Sequence, residues 1–268
     1  MIKTALAQLS PSLGDKEKNL KKIERTVNDS SPDLAVFGEL FLTGYMCRDS
    51  FPKLAEPIDG KCAKRILKIS EEHGTHIVFG MPECSQTRRG LVYNSAILAC
   101  PDGKLMSYRK LHLANFGPFE EKSHFAQGSG APVFTTRLGK IGLMICYDLF
   151  FPELAKTYAL KGADIIINIS ASPSTTRVFF EKVLAARAIE NATFMLYSNL
   201  VGTELNMVFW GGCTAIGPRG DVLARGKYYK EDVVELELDL KELEIARNFR
   251  PTLKNTRSDL IDEMRRSV

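Results

Sequence analysis

The sequence predicts an α/β fold: two packed sheets with helices on their outer faces. Three observations predict it. Strand and helix patterns alternate over most of the 268 residues, as in chains built from strand–helix–strand units. The two halves are loosely alike, each holding such units and a hairpin turned on a glycine. No linker, low-complexity tract or composition shift divides them. Residues 1–268 therefore read as one domain, whose charged, partly helical tail, about 243–268, is expected to dock on the body or on a neighbouring subunit. A chain of this length buries roughly three quarters of its unfolded surface and needs no staple to make a core.

Residues 3–9 alternate apolar and polar side chains, the period of a half-buried strand. Asp15 then opens a helix on which Leu20, Ile23 and Val27 share one face. Residues 34–37 are an apolar strand leading to Glu39. A helix over 63–72 stops at Gly74, and 75–81 is the next strand. Residues 92–99 and 104–108 form a hairpin about Pro101, Asp102 and Gly103. An irregular stretch runs from His112 to Gly130. The second half starts with an apolar strand, 140–145, and a helix with Pro152 near its first position and Gly162 at its end. Strand 164–169, helix 178–191 and strand 193–197 follow, and a second hairpin turns at Pro218, Arg219 and Gly220.

Composition excludes several function classes. At 44% apolar and 25% charged the chain matches ordinary soluble globular proteins. The net charge of +4 is spread along it. The densest positive run, Lys16 to Lys22, includes Glu17 and lies on a helix, so it reads as a solvated face and not as a nucleic-acid patch. No apolar run approaches the roughly 20 residues of a membrane span, and the first residues are too few and too polar for a signal peptide. The expected location is the cytoplasm. Six cysteines, at 47, 62, 84, 100, 146 and 213, form no C-x-x-C pair. His73 and His76 flank a turn, while His112 and His124 stand apart. Neither a disulfide framework nor metal spacing emerges, and no Gly-rich phosphate loop or other cofactor motif is present.

Three polar residues sit where strands end. Glu39 follows the strand at 34–37, Lys110 the one at 104–108, and Cys146 the one at 140–145. Ligands of α/β sheets bind beyond the carboxyl ends of strands, so the three can share one crevice. Their chemistry suits amide cleavage. A helix N-terminus or a cation lowers a thiol pKa, and a carboxylate takes the thiol proton and returns it to the leaving amine. The tetrahedral oxygen needs donors, for which the Lys110 ammonium and the backbone N–H of Tyr147 are the natural pair. Taken singly, each residue has an ordinary explanation: a core cysteine, a surface glutamate, a solvated lysine.

The surrounding motifs decide the matter. The segments Phe37-Gly-Glu-Leu-Phe-Leu-Thr-Gly-Tyr45, Tyr108-Arg-Lys-Leu-His-Leu113 and Ile141-Gly-Leu-Met-Ile-Cys-Tyr-Asp148 resemble, in order and spacing, the three signature blocks of the nitrilase superfamily of carbon–nitrogen hydrolases. The resemblance covers nearly the whole chain. It implies a four-layer α-β-β-α sandwich, a Glu-Lys-Cys triad at Glu39, Lys110 and Cys146, and a homo-oligomer, dimeric or larger. It also implies a second glutamate at Glu121, in Glu121-Lys-Ser-His-Phe125, holding Lys110 and orienting substrate. Tyr45, Phe116, Phe119 and Phe150 are candidates for the pocket wall, although aromatic side chains serve the core first. Asp148 is read as a helix cap, Arg187 and Glu190 as a brace or a local pair, and Cys213 as buried.

A narrower likeness links Ala7-Gln-Leu-Ser-Pro-Ser-Leu-Gly-Asp15, Asn168-Ile-Ser-Ala-Ser-Pro173, Ser198-Asn-Leu-Val-Gly202 and Val208-Phe-Trp-Gly-Gly212 to the glutaminase domain of glutamine-dependent NAD synthetases. The residues after Pro173, Ser-Thr-Thr-Arg, depart from the Gly-Lys loop common there. The reading that follows is a hydrolase cleaving a linear amide or carbamoyl group of a small molecule through a cysteine thioester, without metal or cofactor. The competing readings are a glutaminase-like subunit feeding a separate synthetase and a catalytically silent interaction module.

Overall fold

The computed structural model describes residues 1–267. The first half runs β1 (Ile2–Gln8), α1 (Lys16–Ser30), β2 (Leu34–Val36), α2 (Phe51–Leu54), α3 (Lys61–His73), β3 (His76–Cys84), β4 (Val92–Ala99), β5 (Leu105–Arg109) and the one-turn α4 (Glu121–His124). The second runs β6 (Val133–Thr136), β7 (Gly139–Ile145), α5 (Pro152–Leu160), β8 (Ile165–Ser170), α6 (Arg177–Asn191) and β9 (Phe194–Asn199). A small hairpin, β10 (Val201–Glu204) and β11 (Met207–Trp210), precedes β12 (Thr214–Ile216), β13 (Val222–Arg225) and β14 (Asp232–Leu238). Helices α7 (Lys241–Phe249) and α8 (Ser258–Ser267) close the described chain.

Two six-stranded sheets result, in the orders β14-β1-β2-β3-β4-β5 and β13-β12-β9-β8-β7-β6. They share one plan. In each, three parallel strands are flanked by one antiparallel neighbour on one side and two on the other. The loose likeness of the two halves of the sequence thus has a topological counterpart.

Strand periodicity sorts side chains between layers. Leu6, Val36 and Val78 face the second sheet and join Leu143, Ile167 and Leu196 in the central core. Their neighbours Ala7, Ala35, Ile77 and Phe79 face outward onto Leu20, Ile23, Val27 and Ile66 of α1 and α3. On the far face of the second sheet lie Phe180, Leu184 and Ala188 of α6. The architecture is the four-layer α-β-β-α sandwich that the resemblance implies. The Ser198 hydroxyl lies between the sheets, donating toward the carbonyls of Ala7 (3.2 Å) and Val36 (3.1 Å) of the opposite sheet.

Local rules place the helix ends. The Asp15 carboxylate accepts the Lys18 N–H (3.0 Å), capping α1. Gly74, with φ +63°, closes α3 in the left-handed region where glycine pays no steric penalty. Pro152 sits in the first turn of α5.

Three features depart from the sequence reading. The late strand β14 pairs along the whole of β1, from Ile2–Leu238 to Gln8–Asp232, and completes the first sheet. Cys146 opens a 3-10 turn, Cys146–Phe150, which the sequence reading did not foresee between the strand and the helix starting at Pro152. The tail divides: α7 docks on the body through buried Leu243 and Ala246 and through Arg247, whose guanidinium donates to the Ala163 carbonyl (2.9 Å), whereas α8 buries no side chain.

Candidate active site

Glu39 leaves β2 on a tight path across β3. A side chain on Gly80 would collide with the Leu40 backbone, so the glycine lets this loop close down. The carboxylate is fully buried and held by three donors. Oε1 accepts Asn94 Nδ2 (2.7 Å) and Lys110 Nζ (2.7 Å), and Oε2 accepts the Ala171 N–H (2.8 Å). Asn94 comes from β4 of the same sheet and Ala171 from the end of β8 on the other.

Lys110 follows β5 directly, and its N–H donates to the Asn94 carbonyl (2.9 Å). Its ammonium, buried among these strand ends, also donates to Glu121 Oε1 (2.7 Å). Burial alone would push the Lys110 pKa down; the carboxylates of Glu121 and Glu39 outweigh it and hold the pKa above the ordinary lysine value. Glu121, the first residue of α4, further accepts the Tyr45 hydroxyl (2.8 Å) at Oε1 and the Ala114 N–H (3.0 Å) at Oε2. Burial raises the Glu121 carboxyl pKa, with Lys110 pulling the other way. One buried ammonium thus bridges two buried carboxylates, an arrangement tolerable only because the remaining lone pairs are hydrogen-bonded.

Cys146 takes φ +47°, the left-handed region that non-glycine residues rarely occupy. Such strain, worth on the order of 1–3 kcal/mol, persists only where the surroundings enforce it. They do so here. Asn168 Nδ2 donates to the Cys146 carbonyl (3.3 Å). Asp148 accepts the Ile145 N–H (3.0 Å), the Tyr108 hydroxyl (2.7 Å) and the His112 N–H (2.9 Å), tying the Cys146 turn to the strand and loop around Lys110. Asp148 therefore caps the turn and also links two of the motifs. Arg187 Nε donates to the Leu149 carbonyl (2.9 Å), and its Nη1 to Glu190 (2.9 Å), so the brace and the local pair are both present. The Tyr147 N–H lies in the first turn of the 3-10 segment, where donors lack intrahelical acceptors. Cys213 is buried.

The electrostatics of the thiol reverse one expectation. Burial, then the nearby Glu39 carboxylate, push the Cys146 pKa well above its ordinary value, and Lys110 only partly offsets them. Burial thus favours the neutral form of the Cys146 thiol. A mechanism through Cys146 must take its proton off during attack. Its kcat/KM should accordingly stay flat between about pH 7 and 9, with no rise tracking a free thiol near 8.5. A pH–rate profile climbing tenfold over that span would show a thiolate forming by simple ionisation.

Cys146 lies in a cleft of about 280 Å³. Phe116, Phe119 and Phe150 line it, as the sequence suggests, together with Ala114, Tyr147, Pro173, Thr176, Phe179 and Phe180. Tyr45 stands behind Glu121, edge-on to Phe119 and Phe209, with its hydroxyl on the Glu121 carboxylate. Its loop is held by Glu204 of β10, whose Oε2 accepts the N–H groups of both Tyr45 and Met46 (2.8 Å each).

Asn94, Asn168, Ala171 and Glu204 are not singled out by the sequence reading. An asparagine inside an apolar strand, as in Val92–Ala99 or Ile165–Ser170, is the one available signal, because a buried amide needs partners. Among the described residues, no group of three or more His, Cys, Asp and Glu side chains is disposed to hold a metal ion.

Residues 3–248 match the family model described as carbon-nitrogen hydrolase. An (R)-stereoselective amidase of Pseudomonas sp is 32% identical over 98% of this chain and 94% of its own. A glutamine-dependent NAD(+) synthetase of Thermotoga maritima is 33% identical over 99% of this chain, which spans 45% of that protein. A carbon-nitrogen hydrolase from Helicobacter pylori G27 superposes with a TM-score of 0.90 at 26% identity, covering 98% of each chain.

Proposed function

The chain belongs to the carbon–nitrogen hydrolase family and is a hydrolase of carbon–nitrogen bonds; from that premise we propose that it cleaves a small linear amide or carbamoyl group through a thioester on Cys146. The single observation that carries this reading is the hydrogen-bonded cluster Glu39–Lys110–Glu121 beneath a strained, cleft-lining cysteine. In the proposed reaction the Cys146 sulfur attacks the carbonyl carbon while Glu39 takes the thiol proton. Lys110 and the Tyr147 N–H receive the charge growing on the carbonyl oxygen. The carbon–nitrogen bond then breaks, the proton passes from Glu39 to the departing nitrogen, and ammonia or an amine leaves. Water, deprotonated by Glu39, attacks the thioester, and the acid departs as the thiol recovers its proton.

Glu121 supports this by fixing Lys110 from the side away from Glu39 and by taking part in substrate orientation. Rapid quenching during turnover of a linear amide, followed by intact-mass measurement, should reveal an enzyme heavier by the acyl group and ammonia released in step with it. Ammonia release with no acylated enzyme on quenching and no acyl hydroxamate when hydroxylamine is added to intercept a thioester would sink the covalent route.

The likeness to an NAD synthetase favours a second reading, a glutaminase-like subunit whose activity a separate synthetase raises. The cytoplasm is proposed as its location; no helix among the described residues is long and apolar enough to cross a membrane. A homo-oligomer belongs to the same proposal, consistent with exposed Leu260, Ile261 and Met264 on α8.

A further inference from the structure

The walls of the cleft differ in kind from its floor. The floor carries Cys146, and the buried Glu39–Lys110–Glu121 cluster lies outside the lining. The walls are six aromatic side chains, Phe116, Phe119, Tyr147, Phe150, Phe179 and Phe180, and no charged side chain among the described residues lines the space. The one aliphatic hydroxyl there, that of Thr176, is occupied by the Pro173 carbonyl (2.9 Å) and the Ser172 hydroxyl (2.8 Å).

Two arginines near the cleft in sequence are engaged elsewhere. The Arg177 guanidinium, next to Thr176, lies 4.8 Å over the Tyr228 ring. Arg187 is bound to Leu149 and Glu190. A substrate bearing a carboxylate beyond its amide would thus bury that charge among rings with no counter-ion in the lining. Burying an unpaired charge is heavily disfavoured, whereas apolar surface gains from the same transfer.

We infer that the acyl subsite takes uncharged amides whose acyl group is apolar, alkyl or aryl, and rejects amides carrying a carboxylate, such as glutamine. The inference rests on the amide-hydrolase reading above and narrows it. The cleft is also small for a ligand pocket, which commonly spans about 300–1,000 Å³, so the acyl group is that of a compact molecule. The mouth carries Phe179, 59% exposed, and Phe116, 49% exposed, so apolar surface lies open to an entering acyl chain.

The test compares hexanamide and phenylacetamide with glutaramate and glutamine by ammonia release, with Cys146→Ala as the blank. The neutral amides should be favoured at least about 100-fold in kcat/KM. Glutaramate turned over as well as hexanamide would overturn the inference while leaving the hydrolase reading in place. Phe179→Arg, a change at an exposed position, puts a cation at the rim and should narrow the ratio about tenfold; an unmoved ratio would count against the inference. If no amide is turned over, the hydrolase reading fails separately, and calorimetry on Cys146→Ala decides the subsite. Binding of hexanamide without glutaramate sustains the inference; binding of glutaramate, or of neither, overturns it.

Discussion

Cys146→Ala is expected to cut ammonia release about 10,000-fold or more, because catalytic groups that act as a unit lose most of their effect when one is removed. The change deletes one sulfur at a site 7% exposed. Alanine occupies the backbone at φ +47° with the same steric difficulty as cysteine, so the strain of the turn is unchanged. The hydrogen bonds that hold the turn, from Asn168 to the Cys146 carbonyl and from the Ile145 N–H to Asp148, involve no sulfur. Thermal unfolding should therefore shift only slightly while turnover vanishes. A variant retaining a few per cent of wild-type activity would remove Cys146 from the reaction. A variant that is inactive and also unfolded would assign the cysteine to packing.

Lys110→Met should damage stability and activity together. The ammonium bridges Glu39 and Glu121, with both partners at 2.7 Å. Removing one member of a buried ionic cluster typically costs about 3–5 kcal/mol, since the charges left behind remain desolvated. The variant relieves this by binding a proton, because loss of the Lys110 charge raises the folded-state pKa of Glu121 further. A carboxyl raised in the folded state contributes stability below its unfolded value, 4.5 for Glu121, and loses it as pH rises through the folded value. The stability gap between Lys110→Met and wild type should thus be widest at neutral pH and shrink below about pH 5. Denaturant unfolding at two pH values measures it, and a gap independent of pH would contradict the charge argument. Turnover should fall at least about 1,000-fold through loss of the proposed oxyanion donor.

The sequence made much of this legible because strand ends are local features. Glu39, Lys110 and Cys146 each stand at or just past the end of a strand pattern, and the structure puts the first two at 2.7 Å from one another. The strand–helix alternation and the Asp15, Gly74 and Pro152 signals likewise depend on residues within a few positions. What escaped depends on distance or on burial. In β14, Glu235 and Glu237 alternate with Val234, Leu236 and Leu238, an unremarkable charged strand until β1, some 230 residues earlier, is found beside it. The direction of the Cys146 shift follows from how completely it is enclosed, which the residues beside it in sequence do not express. Glu204 bears on the site only through the backbone of Tyr45, a contact 159 residues away in the chain.

The shared plan of the two sheets has a mechanical consequence. Glu39 and Lys110 hang from one sheet and Cys146 from the other, so the proposed base and nucleophile are mounted on separate plates. Their spacing is gauged by the seam between the plates, where the Ala171 N–H reaches Glu39 and Ser198 reaches Ala7 and Val36. A slip along that seam too small to unfold anything would still separate sulfur from carboxylate. Turnover in this protein therefore serves as a sensitive gauge of how its two halves are aligned.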